Sequence, residues 1–202
     1  MPKGEAVSRR SSTNDVGPAI QALERGEVSW AYNYIMANCD TNDPFVLSVL
    51  GKVYLIGSND VPQDVGLAVE CYERSASEGD VLCSYYELIK IYFYGFGGMA
   101  SCEKAVAYCR LLAEESKDPR AIFHLGRMAM EGRCMDKDID YASKMFKQAW
   151  DSGYVYGLTY MAKIDFLKGR FFQSIVKRIR AVRLLWKLEG DPEQYWRIEL
   201  PL

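Results

Sequence analysis

LGKVYLIGSNDVPQDVGLAVECYERSASEG, residues 50–79, is the stretch from which the fold can be read. Val46, Leu50, Tyr54 and Gly57 fall at spacings of 4, 4 and 3, which is one stripe of an α-helix. Gly57 ends that helix, because glycine takes the left-handed backbone of a C-terminal cap without steric cost. A second helix is predicted from about residue 63 to residue 78, with Ala68, Cys71, Tyr72, Ser75 and Ala76 on one face and a stop at Gly79. The stretch is a helical hairpin.

The hairpin recurs on both sides. Gly57, Gly95, Gly132 and Gly169 are spaced by 38, 37 and 37 residues. Gly79, Ser116, Gly153 and Gly190 follow at 37 each time, and Ala68, Ala105 and Ala142 are also 37 apart. Three rows in one register define four units, 44–80, 81–118, 119–153 and 154–190. The second repeats the pattern with Ser84, Leu88, Tyr92 and Gly95, then Ala105, Cys109 and Leu112. The third does so with Ala121, Leu125, Ala129 and Gly132, then Ala142, Phe146 and Ala149. Small residues let paired helices approach, and the aromatic row fills the space between units. Asp43-Pro44 and Asp118-Pro119 open first helices, the aspartate as N-cap and the proline at the first helical position. Residues 16–43 form an additional N-terminal hairpin turning at Gly26-Glu27. Residues 1–15, polar and poor in large apolar side chains, are expected to be a disordered tail, and residues 191–202 a C-terminal cap or tail. The expected fold is all-α, a right-handed α/α solenoid of about five helix-turn-helix hairpins.

These residues resemble the Sel-one-like repeat family, relatives of tetratricopeptide repeats. Leu50, Gly51, Tyr54, Gly57, Asp64, Ala68, Tyr72, Ala76 and Gly79 sit where that family's unit places its leucine, glycines, tyrosines, aspartate and alanines. The third unit keeps Ala121, Leu125, Gly126, Gly132, Asp138, Ala142, Phe146, Ala149 and Gly153. The second carries Ile89 for the glycine and Ser101 for the aspartate. The fourth is degenerate: Lys163 replaces the glycine, and Ile179 and Arg183 take the alanine and aromatic core positions in the 37-residue register. The resemblance implies an adaptor that holds partners together. A secreted, disulfide-rich branch of the family staples each helix pair and has been linked to β-lactam binding. The six cysteines here do not recur once or twice per unit, so the chain departs from that branch.

Composition agrees with a globular chain. The 202 residues are 49% hydrophobic and 26% charged, and a formal net charge of -2 gives no global attraction for nucleic acid or an anionic membrane. The longest charge-free runs, residues 28–39 and 91–102, are short of the roughly 18 residues that a spanning helix needs. The polar start, MPKGEAVSRRSSTND, lacks an apolar signal core, so a cytoplasmic location with no membrane partner is expected. In that setting scattered cysteines behave as small buried hydrophobes. Cys102 and Cys109 lie about 10 Å apart along one helix, beyond the roughly 7 Å limit for a bridge.

Three apparent chemistry motifs dissolve on inspection. Residues 95–100, GFGGMA, satisfy a relaxed dinucleotide pattern, but the positions about 20 residues on are helical rather than a second acidic strand. Asp136, Asp138 and Asp140 begin like a calcium loop whose sixth and twelfth positions would be Tyr141 and Lys147, so Asp138 reads as a helix cap. His124, the only histidine, reads as a surface residue, and no C-x-x-C spacing supports zinc. No catalytic residue, cofactor or metal is expected, and a hydrolase-type enzyme is the rival class.

Binding is expected on the first helices. Away from their packing stripe the units present the rows Ser48, Tyr86, Phe123, Tyr160; Lys52, Lys90, Arg127, Ile164; and Leu55, Phe93, Met130, Leu167. A curved solenoid gathers such rows into a concave surface, and aromatic, Met and Arg side chains are enriched at interfaces. Tyr86, Lys90, Phe93, Phe123, Arg127, Met130 and Tyr160 are the candidate partner-binding residues, for another protein or a peptide segment. Lys177, Arg180, Arg183 and Lys187 cluster on the last helix beside an apolar stripe of Phe171, Ile175, Ile179, Val182 and Trp186. They read either as the polar cap of a terminal repeat or as a docking patch for an acidic partner. Nucleic acid is the weaker partner, because no aromatics interleave on the basic face.

Overall fold

Side-chain caps mark where several of the helices begin. In a computed structural model that describes residues 15–79 and 82–188, Asp43 accepts the backbone N–H groups of Phe45 and Val46, Asp118 that of Arg120, and Asp138 those of Asp140 and Tyr141. Ser101, standing where the resemblance wants aspartate, caps its helix by accepting from Lys104 N–H. The helices run α1 (Gly17–Glu24), α2 (Val28–Asn38), α3 (Pro44–Ile56), α4 (Val65–Gly79), α5 (Leu82–Tyr94), α6 (Cys102–Glu114), α7 (Pro119–Glu131), α8 (Ile139–Asp151), α9 (Val155–Leu167) and α10 (Phe171–Leu188). There is no strand among the described residues. The expected tail, Asp15 apart, and the expected cap at 191–202 lie outside the described residues.

The chain divides into two compact units, one holding α1 to α4 and most of α5, the other the last turn of α5 and everything from Ala100 onward. In the first, Val16, Ala19, Ala22, Ile35, Val46, Leu50 and Val53 form one apolar core. The repeat glycine Gly51 lies under the Tyr72 ring, where a Cβ would come within 2.8 Å of a ring carbon. Gly57 has φ +71°, and a Cβ there would stand 2.6 Å from the Gln63 nitrogen, so both backbone and space demand glycine. Ser75 Oγ donates to the Pro44 carbonyl at 2.6 Å and receives Ser84 Oγ at 2.8 Å, which satisfies the polar atoms of a dry contact.

In the second unit Phe123 is the hub. It is fully enclosed, with the rings of Phe146, Tyr154 and Tyr160 at 5.3, 5.3 and 4.8 Å. Gly126 repeats the relation of Gly51, its absent Cβ leaving room for the Phe146 ring 2.8 Å away. His124, expected at the surface, is buried with its ring 5.7 Å from that of Phe123.

Two further expectations change. The fourth unit does not follow the 37-residue register. Gly132 is followed by a turn before α8, whereas Gly169 leads after one residue into α10, so the second helix starts 32 residues after its predecessor. Ser174 and Ala181, both buried, therefore take the places of Ala142 and Ala149, and Ser174 Oγ donates to the Ala162 carbonyl at 2.8 Å. Ile179 and Arg183 turn outward instead of filling the core. The cysteines are the other correction. Cys102 pairs with Cys134, 32 residues on, joining the start of α6 to the turn after α7. A bridge between neighbouring repeats does not show in spacing along one helix. Cys39, Cys71, Cys83 and Cys109 are free. Burial raises the Cys109 thiol pKa to about 12.

Candidate partner-binding site

The first unit holds two of the expected binding residues. Tyr86 is buried, and Lys90 is half-buried with its ammonium 3.0 Å from Glu87 Oε1. Neither offers a broad contact surface.

The second unit gathers a denser group at the ends of its first helices. Phe93, in the last turn of α5, is buried beneath two guanidinium groups, that of Arg133 at 4.3 Å from the ring centre and that of Arg127 at 5.9 Å. Arg133 also donates to the Phe93 carbonyl and stands 5.6 Å from the Tyr94 ring. Arg127 donates to the Tyr94 hydroxyl at 3.2 Å and pairs with Glu131 at 3.4 Å. Burial works against the charge of Arg127, and the Tyr94 hydroxyl with Tyr160 and Glu131 outweighs it, so the guanidinium pKa is raised. Tyr160 is half-buried, with Phe146 5.0 Å behind it and the Lys163 ammonium 5.3 Å over its ring. Burial raises its phenol pKa, while the charge of Arg127 acts in the opposite direction.

The outcome is a shelf of Tyr94, Arg127, Glu131, Arg133, Tyr160 and Lys163 over the buried rings of Phe93 and Phe123; Met130 is buried as well. Phe123, expected as an exposed anchor, has no exposed surface at all. Its side of α7 faces α8 and α9, so the ring is core. Tyr94 and Arg133, which flank the repeat glycines Gly95 and Gly132, escaped the row-by-row reading. The position beside the glycine that ends each first helix was the available signal.

The terminal basic residues are not one patch. Lys177 turns back to Asp165, whose side chain is 4% exposed and which also takes Arg170 at 2.5 Å. Burial alone would raise the Asp165 carboxyl pKa; the two cations more than offset it and hold it below the usual carboxylate range. Arg180 lies 5.1 Å over the Trp150 ring, and Arg183 and Lys187 face outward. Within residues 95–100, Phe96–Gly98 form a 3-10 turn between α5 and α6, and Gly95, Gly97 and Gly98 all have positive φ. Among the described residues no cluster of three or more His, Cys, Asp or Glu is placed to hold a metal ion. No helix among them is long and apolar enough to cross a membrane.

Comparison with known proteins agrees with the helical-repeat fold. The Sel1 repeat matches at residues 47–80, 84–116 and 119–154, just over half of the chain. Among solved structures, the Sel1 repeat protein from Oxalobacter formigenes superposes with a TM-score of 0.66 at 18% identity, over 85% of this chain and 68% of that one. The protective antigen c5321 of uropathogenic Escherichia coli strains, which displays an SLR fold, gives 0.57 at 18% identity, over 92% of this chain and 44% of that one. MamA gives 0.55 at 18% identity, over 84% and 95%. At these identities the likeness is one of fold: an all-α helical-repeat solenoid. No curated protein sequence matches significantly.

Proposed function

The chain belongs to the Sel1 repeat family, and on that premise we propose that it is a non-catalytic scaffold that grips a protein or peptide segment on the shelf at the ends of its first helices. Repeats of this family generally serve as protein–protein interaction scaffolds. The observation that carries the reading is the convergence of Tyr94, Arg127, Arg133 and Tyr160 on one edge of the second unit, over a packed aromatic floor. Tyrosine and arginine supply most interface hot spots, because each buries a large rigid surface and keeps directional donors. Arginine forks suit carboxylates, so a partner segment bearing Asp or Glu fits best.

A hydrolase would need a nucleophile beside a base and an orienting group behind that base. The shelf holds a paired carboxylate and tyrosines instead, and His124 is buried in the core. Four free thiols fit a cytoplasmic setting, while the Cys102–Cys134 bridge fits an oxidising one; trapping thiols in intact cells and reading the bridge on non-reducing gels decides between them.

The test of the scaffold reading is affinity capture of the intact protein's partners from its own cell lysate, followed by mass spectrometry. Tyr94→Ala with Arg133→Ala should weaken capture by at least about thirtyfold, since losing even one hot spot costs about 2 kcal/mol. Both side chains are exposed, so helicity should be unchanged. Undiminished capture by the double variant would place the binding site elsewhere.

A further inference from the structure

The outer face of α10 is unlike any other among the described residues. Phe171, Phe172, Ile175, Ile179, Val182 and Trp186 are all exposed, Phe172 and Trp186 at 78%. At roughly 100° per residue they occupy an arc of about 100°, and Val176 widens it to about 140°. Arg178 borders one edge, and Arg183, Lys187 and Arg180 the other. The helix, FFQSIVKRIRAVRLLWKL, contains no acidic residue. An open groove of about 740 Å³, lined by Trp150, Val176, Ile179, Arg180, Arg183 and Leu184, runs along the basic edge.

Among the described residues no further helix covers this face, and an uncovered packing face of a repeat offers one explanation. That explanation covers only part of the arc. With the 32-residue displacement between α8 and α10, Phe172, Val176 and Ile179 correspond to Asp140, Lys144 and Lys147, which are solvent-facing and charged in α8. A further hairpin stacked in the same manner would leave those three positions in water. Three apolar residues stand where α8 carries three charged ones that its own neighbouring helices leave exposed, so the arc fits a broader and flatter occupant than one helix. A wide apolar arc ending in Phe and Trp, rimmed on both sides by Arg and Lys, has the composition of a helix that lies in a membrane interface.

We propose that α10 docks this chain flat on an anionic lipid bilayer. The Phe171 to Trp186 arc sinks into the acyl boundary, and Arg178, Arg180, Arg183 and Lys187 sit among the lipid phosphates. The helix lies on the membrane and does not span it. The low net charge and the lack of a long apolar run, which led the sequence to predict no membrane partner, say nothing against binding by one face of one helix.

Co-sedimentation of the full chain with phosphatidylcholine vesicles, with and without phosphatidylglycerol, tests this. Binding should require phosphatidylglycerol and weaken with salt. Phe172→Glu with Trp186→Glu, and separately Arg180→Glu with Arg183→Glu, should each lower the partition coefficient more than tenfold. Lys147→Glu, on the outer face of α8, should bind as the parent does. Circular dichroism verifies that each variant is folded, and the charge-reversal pair keeps the test open should the apolar pair misfold. Absence of vesicle binding, equal binding to neutral vesicles, or binding unmoved by both pairs would overturn the proposal. So would light scattering that shows a dimer of the free protein broken by the Phe172 and Trp186 changes, which would assign the face to a second copy.

Discussion

At the scale of the residue, the repeat is held by a trade of volumes. Tyr72 and Phe146 project their rings over Gly51 and Gly126, where a Cβ would stand 2.8 Å from a ring carbon. In the intervening unit the glycine has become Ile89, and the aromatic has become Cys109; both are buried. A motif read position by position therefore looks weak in the second repeat, while the 37-residue spacing persists. Gly126→Ala should therefore cost about 2 kcal/mol, visible as a melting temperature several degrees lower, because methyl and ring cannot both keep their places. Tyr72→Phe should do the opposite. The Tyr72 hydroxyl is buried without a hydrogen-bond partner, and burial pushes its pKa far above the ordinary phenol value. Removing that hydroxyl removes a desolvated polar group, so thermal stability should stay level or rise. The glycine and alanine rows were plain in the sequence because periodicity exposes them. Phe123 was misjudged because an aromatic at helical spacing reads equally well as floor or as anchor, and only its neighbours decide.

At the scale of the element, α10 shows what spacing does not convey. Its register was set by a shortened turn after Gly169, which moved Ser174 and Ala181 into the packing face and turned Ile179 and Arg183 to solvent. The 37-residue count could not foresee this, because helix contacts follow the start of each helix rather than the repeat length. Asp165 then ties α9 to α10 and to the turn before it, taking Lys177 and Arg170 while nearly excluded from water. Asp165→Asn should destabilise the protein by about 2 kcal/mol, less than the roughly 3–5 kcal/mol of a fully buried pair because both cations can reach solvent. The pH dependence has a fixed sign. A carboxyl with a depressed folded pKa adds stability at pH values above its unfolded pKa of about 3.9 and loses it as pH falls through the folded value. Acid unfolding below about pH 4 should consequently be shallower in Asp165→Asn than in the parent. The Cys102–Cys134 bridge is the other link between elements. Cys102→Ser should lower stability by about 3 kcal/mol, from the loop closure it releases in the unfolded chain, and reductant should then have no further effect on melting.

At the scale of the whole molecule, an array of hairpins is stable only where each unit is covered by the next. The sequence conveyed the class, and Sel1 repeats match at residues 47–80, 84–116 and 119–154. Tyr154 and Tyr160, from the fourth unit, close over Phe123 of the third. A chain ending at residue 153 should accordingly aggregate or melt earlier, and size-exclusion chromatography with thermal melting would register it. The proposed binding shelf was half legible. Arg127 and Tyr160 stood in the expected rows, whereas Tyr94 and Arg133 came into view only with the turns that end α5 and α7. A partner segment lying on that shelf must shield the backbone beneath it, and hydrogen exchange of the intact protein, alone and with the captured partner, reads that shielding segment by segment. Exchange should slow at residues 92–95, 127–133 and 156–163 and stay unchanged in the outer hairpin α1–α2; protection elsewhere with none at those three segments would mean that the shelf is not where the partner binds.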